Sequence, residues 1–237
     1  MLRKEKSKMN KKRKILLSLA GLLTFIPLAS CGENSSSVKP SNNETSKETT
    51  SVDTSAKDYV MEAEYINLDG VVGAGLSSDQ AGVEMIYGDG TQAQKDMGWG
   101  EGFYVGYTYS NAVKLDFVFT SDKAGTGTFA LRLGSELGDI NITPEAMEVK
   151  LNDVALSYTS IFVEGSSMDK MKFFDKTVST NGTIKNGSNT LSVLIHDNDL
   201  RPGNQTGGPT IDSLKIQTSS VLSWTDKKDN PSRRGEI

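Results

Sequence analysis

Three carboxylates stand where a hard cation could be held. Glu62 and Glu64 lie two residues apart in an alternating run, so on a strand both would project from one face, roughly 7 Å apart. Asp212 comes near the far end, in Pro209-Thr210-Ile211-Asp212-Ser213-Leu214-Lys215-Ile216. On a regular strand it shares a face with Leu214 and Ile216, the pair expected in the core. A carboxylate there costs free energy unless a positive charge meets it, and Lys215 points the opposite way. If the first and last strands are neighbours, the three acids converge. Calcium then fits best, because it accepts six to eight oxygen ligands in loose geometry, backbone carbonyls included. The bland alternative keeps the glutamates as exposed strand residues and makes Asp212 a turn cap; spacing by itself does not choose between them.

Other chemistries have less to work with. The 237 residues hold one Cys and one His, which leaves no disulfide framework, no ordinary zinc site and no Cys/His catalysis. Glycosidase chemistry needs two carboxyl groups flanking a scissile bond. Pairs such as Asp197/Asp199 or Glu101/Asp96 exist, but none sits in a recognisable motif. The net charge of −4 conceals an asymmetry: residues 1–14 carry eight Lys/Arg and one Glu, a local +7, so the remainder carries −4 − 7 = −11. A body that acidic argues against nucleic acid as a partner.

The elements that must position these residues are preceded by a targeting segment. A basic stretch from Arg3 to Lys14 leads into the apolar run Ile15–Ile26 and then Leu28-Ala29-Ser30-Cys31-Gly32. This resembles the lipobox of bacterial lipoproteins, with the chain's single Cys at the acylated position. Residues 1–30 are then a signal peptide and Cys31 the lipidated first residue of the mature chain. Two acyl chains on that residue suffice for stable anchoring, where one is marginal. The expected location is the extracytoplasmic face of a bacterial membrane. Residues 31–57 form a tether: eleven of the 21 residues from Ser35 to Ser55 are Ser or Thr, with no apolar period to offset the entropy of ordering.

From Tyr59 the apolar period becomes two. Strands are expected at Tyr59–Ile66, Phe103–Tyr109, Val113–Thr120, Thr128–Leu133, Met147–Leu151, Val154–Tyr158, Phe173–Val178, Thr190–Ile195 and Ile211–Gln217. Asn152-Asp153 and Asn186-Gly187 read as tight hairpin turns. Many short strands and no long helical stripe predict an all-β sandwich or barrel over residues 58–219. The Gly-rich stretch from Gly70 to Gly102 reads as extended loops, and residues 220–237 as a polar extension with one added strand around Val221–Thr225.

A family resemblance rests on motifs in order. Met61-Glu62-Ala63-Glu64 opens the domain, and Gly102-Phe103-Tyr104-Val105-Gly106-Tyr107 and Thr128-Phe129-Ala130-Leu131-Arg132-Leu133 follow. Val149-Lys150-Leu151-Asn152-Asp153, Lys185-Asn186-Gly187-Ser188-Asn189-Thr190-Leu191 and Gly208-Pro209-Thr210-Ile211-Asp212 complete the series. Over about residues 59–218 the order resembles carbohydrate-binding modules of families 6 and 35. The resemblance implies a galactose-binding-like β-sandwich (jelly roll) and a structural calcium held by Glu62, Glu64 and Asp212. The segments Gly70–Gly102 and Gly134–Ala146 are longer than the family's usual connections.

The resemblance also implies a sugar site built from loop aromatics and planar polar groups. Trp99, in Met97-Gly98-Trp99-Gly100-Glu101-Gly102, is expected as a stacking platform, the alternative being a lid over the sandwich end. As a platform, its truncation would abolish sugar retention and leave the melting temperature nearly unchanged. Tyr104 would line the same edge. Arg132, pointing away from Leu131 and Leu133, is a candidate sugar contact or the partner of a neighbouring acid. Arg201 and Asn204 (with Asn198 as rival) lie in the loop before Gly208. His196, at a strand end, reads as structural. The expected function is non-catalytic binding of a polysaccharide or glycan, alongside a separate glycoside hydrolase or transporter. A glycosidase or lyase, and a protein-binding adhesion head, are the alternatives.

Overall fold

A computed structural model describes residues 55–74, 76, 82–109, 113–136, 138–196 and 208–228. The signal segment, Cys31 and the tether up to residue 54 lie outside the described residues, as do Asn198, Arg201 and Asn204.

Two antiparallel sheets face each other, as the period-two pattern requires. The first is built on β12 (Thr210–Thr218). One edge of β12 pairs with β5 (Gly125–Gly134), which in turn pairs with β10 (Phe174–Ile184). The other edge takes β1 (Lys57–Glu62) along Ser213–Thr218, then β3 (Phe103–Val105) at Ile211. β2 (Ile86–Gly88) pairs with β3. The second sheet runs β13 (Leu222–Ser223), β4 (Val113–Ser121), β11 (Gly187–Ile195), β7 (Met147–Leu151), β8 (Val154–Ala155). A small ribbon pairs β6 (Ile140–Ile142) with β9 (Ile161–Val163).

Alternation decides which residues meet between the sheets. In β4, Val113, Leu115, Phe117 and Phe119 are buried while Lys114, Val118 and Thr120 are exposed. From the opposing sheet come Phe129, Leu131, Leu133, Leu214 and Ile216. The all-β sandwich expected from the sequence is what the chain forms. Among the described residues the single α-helix is α1 (Gln92–Asp96), five residues long and closed by a Thr91–Gln94 capping box. No described helix is long and apolar enough to cross a membrane.

Turn chemistry was legible at one of the two expected hairpins. Asn152 and Asp153 have φ of 53° and 67°, the left-handed pair a two-residue hairpin needs between β7 and β8. Asn186-Gly187 is not a hairpin: it joins β10 in the first sheet to β11 in the second, so the chain arches across the core there.

The first strand also ends sooner than expected. β1 stops at Glu62, and Ala63–Tyr65 forms a 3-10 turn around the fully buried Ala63. Glu62 and Glu64 therefore do not project from one strand face; the turn swings Glu64 into the interior. Beyond Thr218 the chain stays packed. Tyr59 donates its hydroxyl to the Ser220 carbonyl (3.0 Å), Leu222 is buried, and the Lys227 amide donates to the Tyr65 carbonyl (2.8 Å).

Candidate functional site

The register of β12 against β5 breaks between Ile211 and Ser213. Ile211 faces Leu133 and Ser213 faces Arg132, so Asp212 is the extra residue of a β-bulge, the device that re-aims a side chain within a ladder. Ile211 and Leu214 both enter the core as a result. Asp212 leaves the alternation that would have put it beside Leu214 and Ile216. Its carboxylate meets Arg132 instead, whose side chain points away from the core-facing Leu131 and Leu133. Strict alternation placed Asp212 beside Leu214 and Ile216; the bulge turns it to Arg132, the positive partner it needs, and it is buried there all the same.

Asp212 is completely buried. Its Oδ1 accepts the Gly100 amide at 2.7 Å, its Oδ2 accepts the Ser213 hydroxyl at 3.0 Å, and Arg132 Nε lies 3.5 Å from Oδ2. Arg132 is itself held, donating Nε to the Gly98 carbonyl (2.9 Å) and Nη1 to Asp175 (3.2 Å). Asp175 also pairs with Lys215 at 2.5 Å. Arg132 is therefore a partner of neighbouring acids, one of the two roles open to it from sequence, with Nε and Nη1 engaged by Gly98, Asp212 and Asp175.

Glu62, at the end of β1, reaches the same glycine. A Cβ added at Gly100 would sit 2.4 Å from Glu62 Oε2, so the glutamate carboxyl packs against the glycine and would have to swing aside for any larger residue. Both Glu62 and Asp212 thus touch residue 100. Glu62 Oε2 is buried with no hydrogen-bond partner among the described residues. Burial, then the charges of Asp212 and Glu101, push the Glu62 carboxyl up to about 8, with Arg132 offsetting part of the effect. Glu64, 2% exposed, is pushed up to about 9 by burial and then by Glu62. Burial raises Asp212 to about 6 against the Ser213 hydroxyl, Arg132 and the Gly100 amide, which lower it.

The donor set is all oxygen, which suits a hard cation such as calcium. The buried Glu62 Oε2 and the mutual destabilisation of the charged acids fit a cation that supplies the missing positive charge. As placed, no three His, Cys, Asp or Glu side chains among the described residues are gathered into a complete ligand shell. Side-chain movement toward the ion would have to complete it.

These shifts carry a pH expectation for the cation-free protein. Glu62 and Glu64 hold protons in the folded state well above their ordinary value of 4.5. The folded chain binds more protons than the unfolded one between that value and about 8 to 9. Stability is therefore greatest below pH 4.5 as far as these two groups go, and is lost as pH rises through 8 to 9. Calorimetry in chelator should give a lower melting temperature at pH 9 than at pH 5, with a shallower slope in Glu62→Gln.

The aromatic candidates are placed differently from the expectation. Trp99 is 1% exposed and donates its indole N–H to the Met171 carbonyl at 2.8 Å. It packs edge-on against Tyr104 (centroids 4.9 Å apart) and Phe173 (6.1 Å). With Tyr87 and Met171 these rings form a second apolar cluster apart from the main core. β3 explains it, since Val105 turns to the main core and Tyr104 turns out to this cluster. The loop after α1 folds Trp99 down over it. Trp99 is thus no exposed stacking platform, because its faces are consumed by packing. Tyr104, fully buried, is also removed as an exposed contact; its hydroxyl donates to Glu136 at 3.0 Å. His196 lies 3.7 Å from Glu148 at the end of β11, with its amide donating to the Ala146 carbonyl.

Sequence reasoning missed Gly100, whose amide and missing Cβ bring Glu62 and Asp212 together, and Asp175, which holds Arg132 and Lys215. Two glycines bracketing Trp99 were the available signal for the first.

Comparison with known proteins follows from this geometry. No family model matches the chain, and no curated protein does. Solved structures that it resembles include carbohydrate-binding modules. A family 35 module from an environmental isolate aligns at TM-score 0.42 and 14% identity, covering 70% of this chain and 97% of that one. A family 35 module from Paenibacillus barcinonensis gives 0.40 and 18%, with 70% and 99% covered. A family 36 module in complex with calcium and xylotriose gives 0.39 and 13%, with 67% and 98% covered.

Proposed function

We propose that this chain is a non-catalytic glycan-binding head, stapled by calcium and held at the outer face of a bacterial membrane by a lipid on Cys31. One observation carries the reading: acids from the first and last strands of the sandwich, Glu62 and Asp212, meet at Gly100. The motif order implied that convergence, and Asp212 reaches Gly100 from a fully buried position. Glu64 stands two residues on, buried, and adds a third carboxylate. When bound, the ion supplies the positive charge these oxygens lack; Gly100 and Arg132 hold Asp212 in place for it.

With Trp99 and Tyr104 sealed and Arg132 engaged, the candidate sugar contacts carried from the sequence are Arg201 and Asn204. The Ser/Thr-rich segment gives the head reach from the membrane. A separate glycoside hydrolase or transporter is the natural recipient of the captured glycan.

Affinity gels and a glycan array with the purified protein test the reading. Retention is expected with calcium and is expected to fall in chelator. Calcium at a hundred times its dissociation constant should stabilise folding by ~2.7 kcal/mol. Palmitate labelling should be lost in Cys31→Ser. An array with no retained glycan in saturating calcium sinks the proposal.

A further inference from the structure

The segment after Thr218 makes a strap whose chemistry the acid cluster does not use. It leaves the first sheet at Thr218, adds β13 to β4 of the second, and returns to the residues that follow β1. Between this strap and those residues lies a cleft of about 160 Å³ lined by Tyr65, Asn67, Asp116, Val118, Trp224 and Asp226, among others. That is below the range, about 300–1,000 Å³, of sites that enclose a whole drug-sized ligand, so the cleft takes a single unit of a larger ligand.

The cleft combines fixed aromatic surface with hydrogen-bond acceptors. Trp224 is half-buried and pinned: its indole N–H donates to Asp226 Oδ1 at 2.9 Å, and its ring packs edge-on to Tyr59 with centroids 6.3 Å apart. Val118, 52% exposed, presents an apolar patch on the outer face of β4. Around these stand Asp116, accepting from Ser192 (2.6 Å) and Lys114 (2.9 Å), and Asn67 Oδ1, accepting from Lys227 (2.6 Å) and from the Asp69 amide (3.1 Å). Both Asp116 oxygens keep further lone pairs, whereas Asn67 Oδ1 is filled by its two donors.

Charge narrows the occupant. Asp116 and Asp226 line the cleft and pair with Lys114 (2.9 Å) and Lys228 (3.9 Å), while the lining ammonium of Lys227 is already paired by Asp69 at 2.7 Å. An anionic ligand finds no unpaired lining cation there. A purely apolar one leaves the acceptors unused. A pyranose meets both demands, with C–H groups for the indole and valine and hydroxyl donors for the carboxylates. The geometry points to the strap cleft as a binding subsite for an uncharged sugar unit of a glycan, with Trp224 as its aromatic wall. This rests on the glycan-binding reading and gives it a site among the described residues.

The test uses the full chain with cellohexaose, xylohexaose, mannohexaose and a galactan oligomer, and polygalacturonate as the anionic control. Trp99 is sealed, so acrylamide should quench mainly Trp224. A neutral oligosaccharide should protect that fluorescence. Val118→Lys blocks the cleft from an outward position and should weaken retention about tenfold or more at an unchanged melting temperature. Trp224→Ala should do the same with some loss of stability, and Val154→Lys, on the distant β8 edge, should do neither. Retention by the wild type that both Val118→Lys and Trp224→Ala leave intact overturns the subsite and spares the glycan reading. Preference for polygalacturonate overturns it as well. Wild-type protein that retains no glycan removes the subsite and the reading together.

Discussion

Trp99→Ala is expected to lower the melting temperature by roughly 10 °C, through about 3–5 kcal/mol of lost packing. The indole is 1% exposed, contacts Tyr104 and Phe173, and satisfies the Met171 carbonyl. Truncation opens a cavity between rings that cannot collapse freely, because Tyr104 is tied to Glu136 and β3 is paired on both sides. Trp99→Phe should recover much of the loss, leaving chiefly the missing hydrogen bond at about 1 kcal/mol. Differential scanning calorimetry of the three proteins checks the ranking. An unchanged melting temperature in Trp99→Ala would mean that the ring is not core and would restore the sequence expectation of an exposed platform.

Asp212→Ala should cost about 3–5 kcal/mol, the range for removing one partner of a buried ion pair. Three groups lose their acceptor at once: the Gly100 amide, the Ser213 hydroxyl and Arg132. One effect opposes this, since removing Asp212 relieves its repulsion of Glu62. At pH 7 that relief is small, because a carboxyl with its pKa near 8 is mostly protonated without a cation. The loss therefore wins. Asp212→Asn keeps an acceptor for Gly100 and should be milder, yet should abolish the stabilisation by calcium. Denaturant titrations with calcium and with chelator separate the two contributions. Equal calcium response in wild type and Asp212→Asn would remove Asp212 from the proposed ligand set.

Much of the sandwich could be read from residue order. The runs at Val113–Thr120, Thr128–Leu133 and Met147–Leu151 alternate cleanly, and each became a strand with its apolar members inward. Asn152-Asp153 declared its hairpin because those residue types tolerate the left-handed backbone it requires. The same reasoning stumbled at Asn186-Gly187, whose local conformation fits a turn and says nothing of which sheet the next strand joins.

The acid site was legible in its members and not in its geometry. Glu62, Glu64 and Asp212 were identifiable by type and order, but a strand's parity can be followed only until a bulge or turn interrupts it. The 3-10 turn at Ala63–Tyr65 reorients Glu64, and the bulge at Asp212 exchanges the core face for the Arg132 side. Trp99 failed for a related reason: Gly-flanked aromatics in loops can face either way, and the rings waiting on the outer face of β3 decide.

Residue order alone thus determined that this chain would alternate into a two-layered sandwich and that carboxylates would mark its first and last strands, because period and residue type are local properties. Only the tertiary structure decided that Gly100 would join two of those carboxylates, that Trp99 would be sealed, and that the tail would strap itself beside Tyr65. Each of these depends on which distant surfaces compete for the same side chain, and burial settles that competition only once the whole chain has closed.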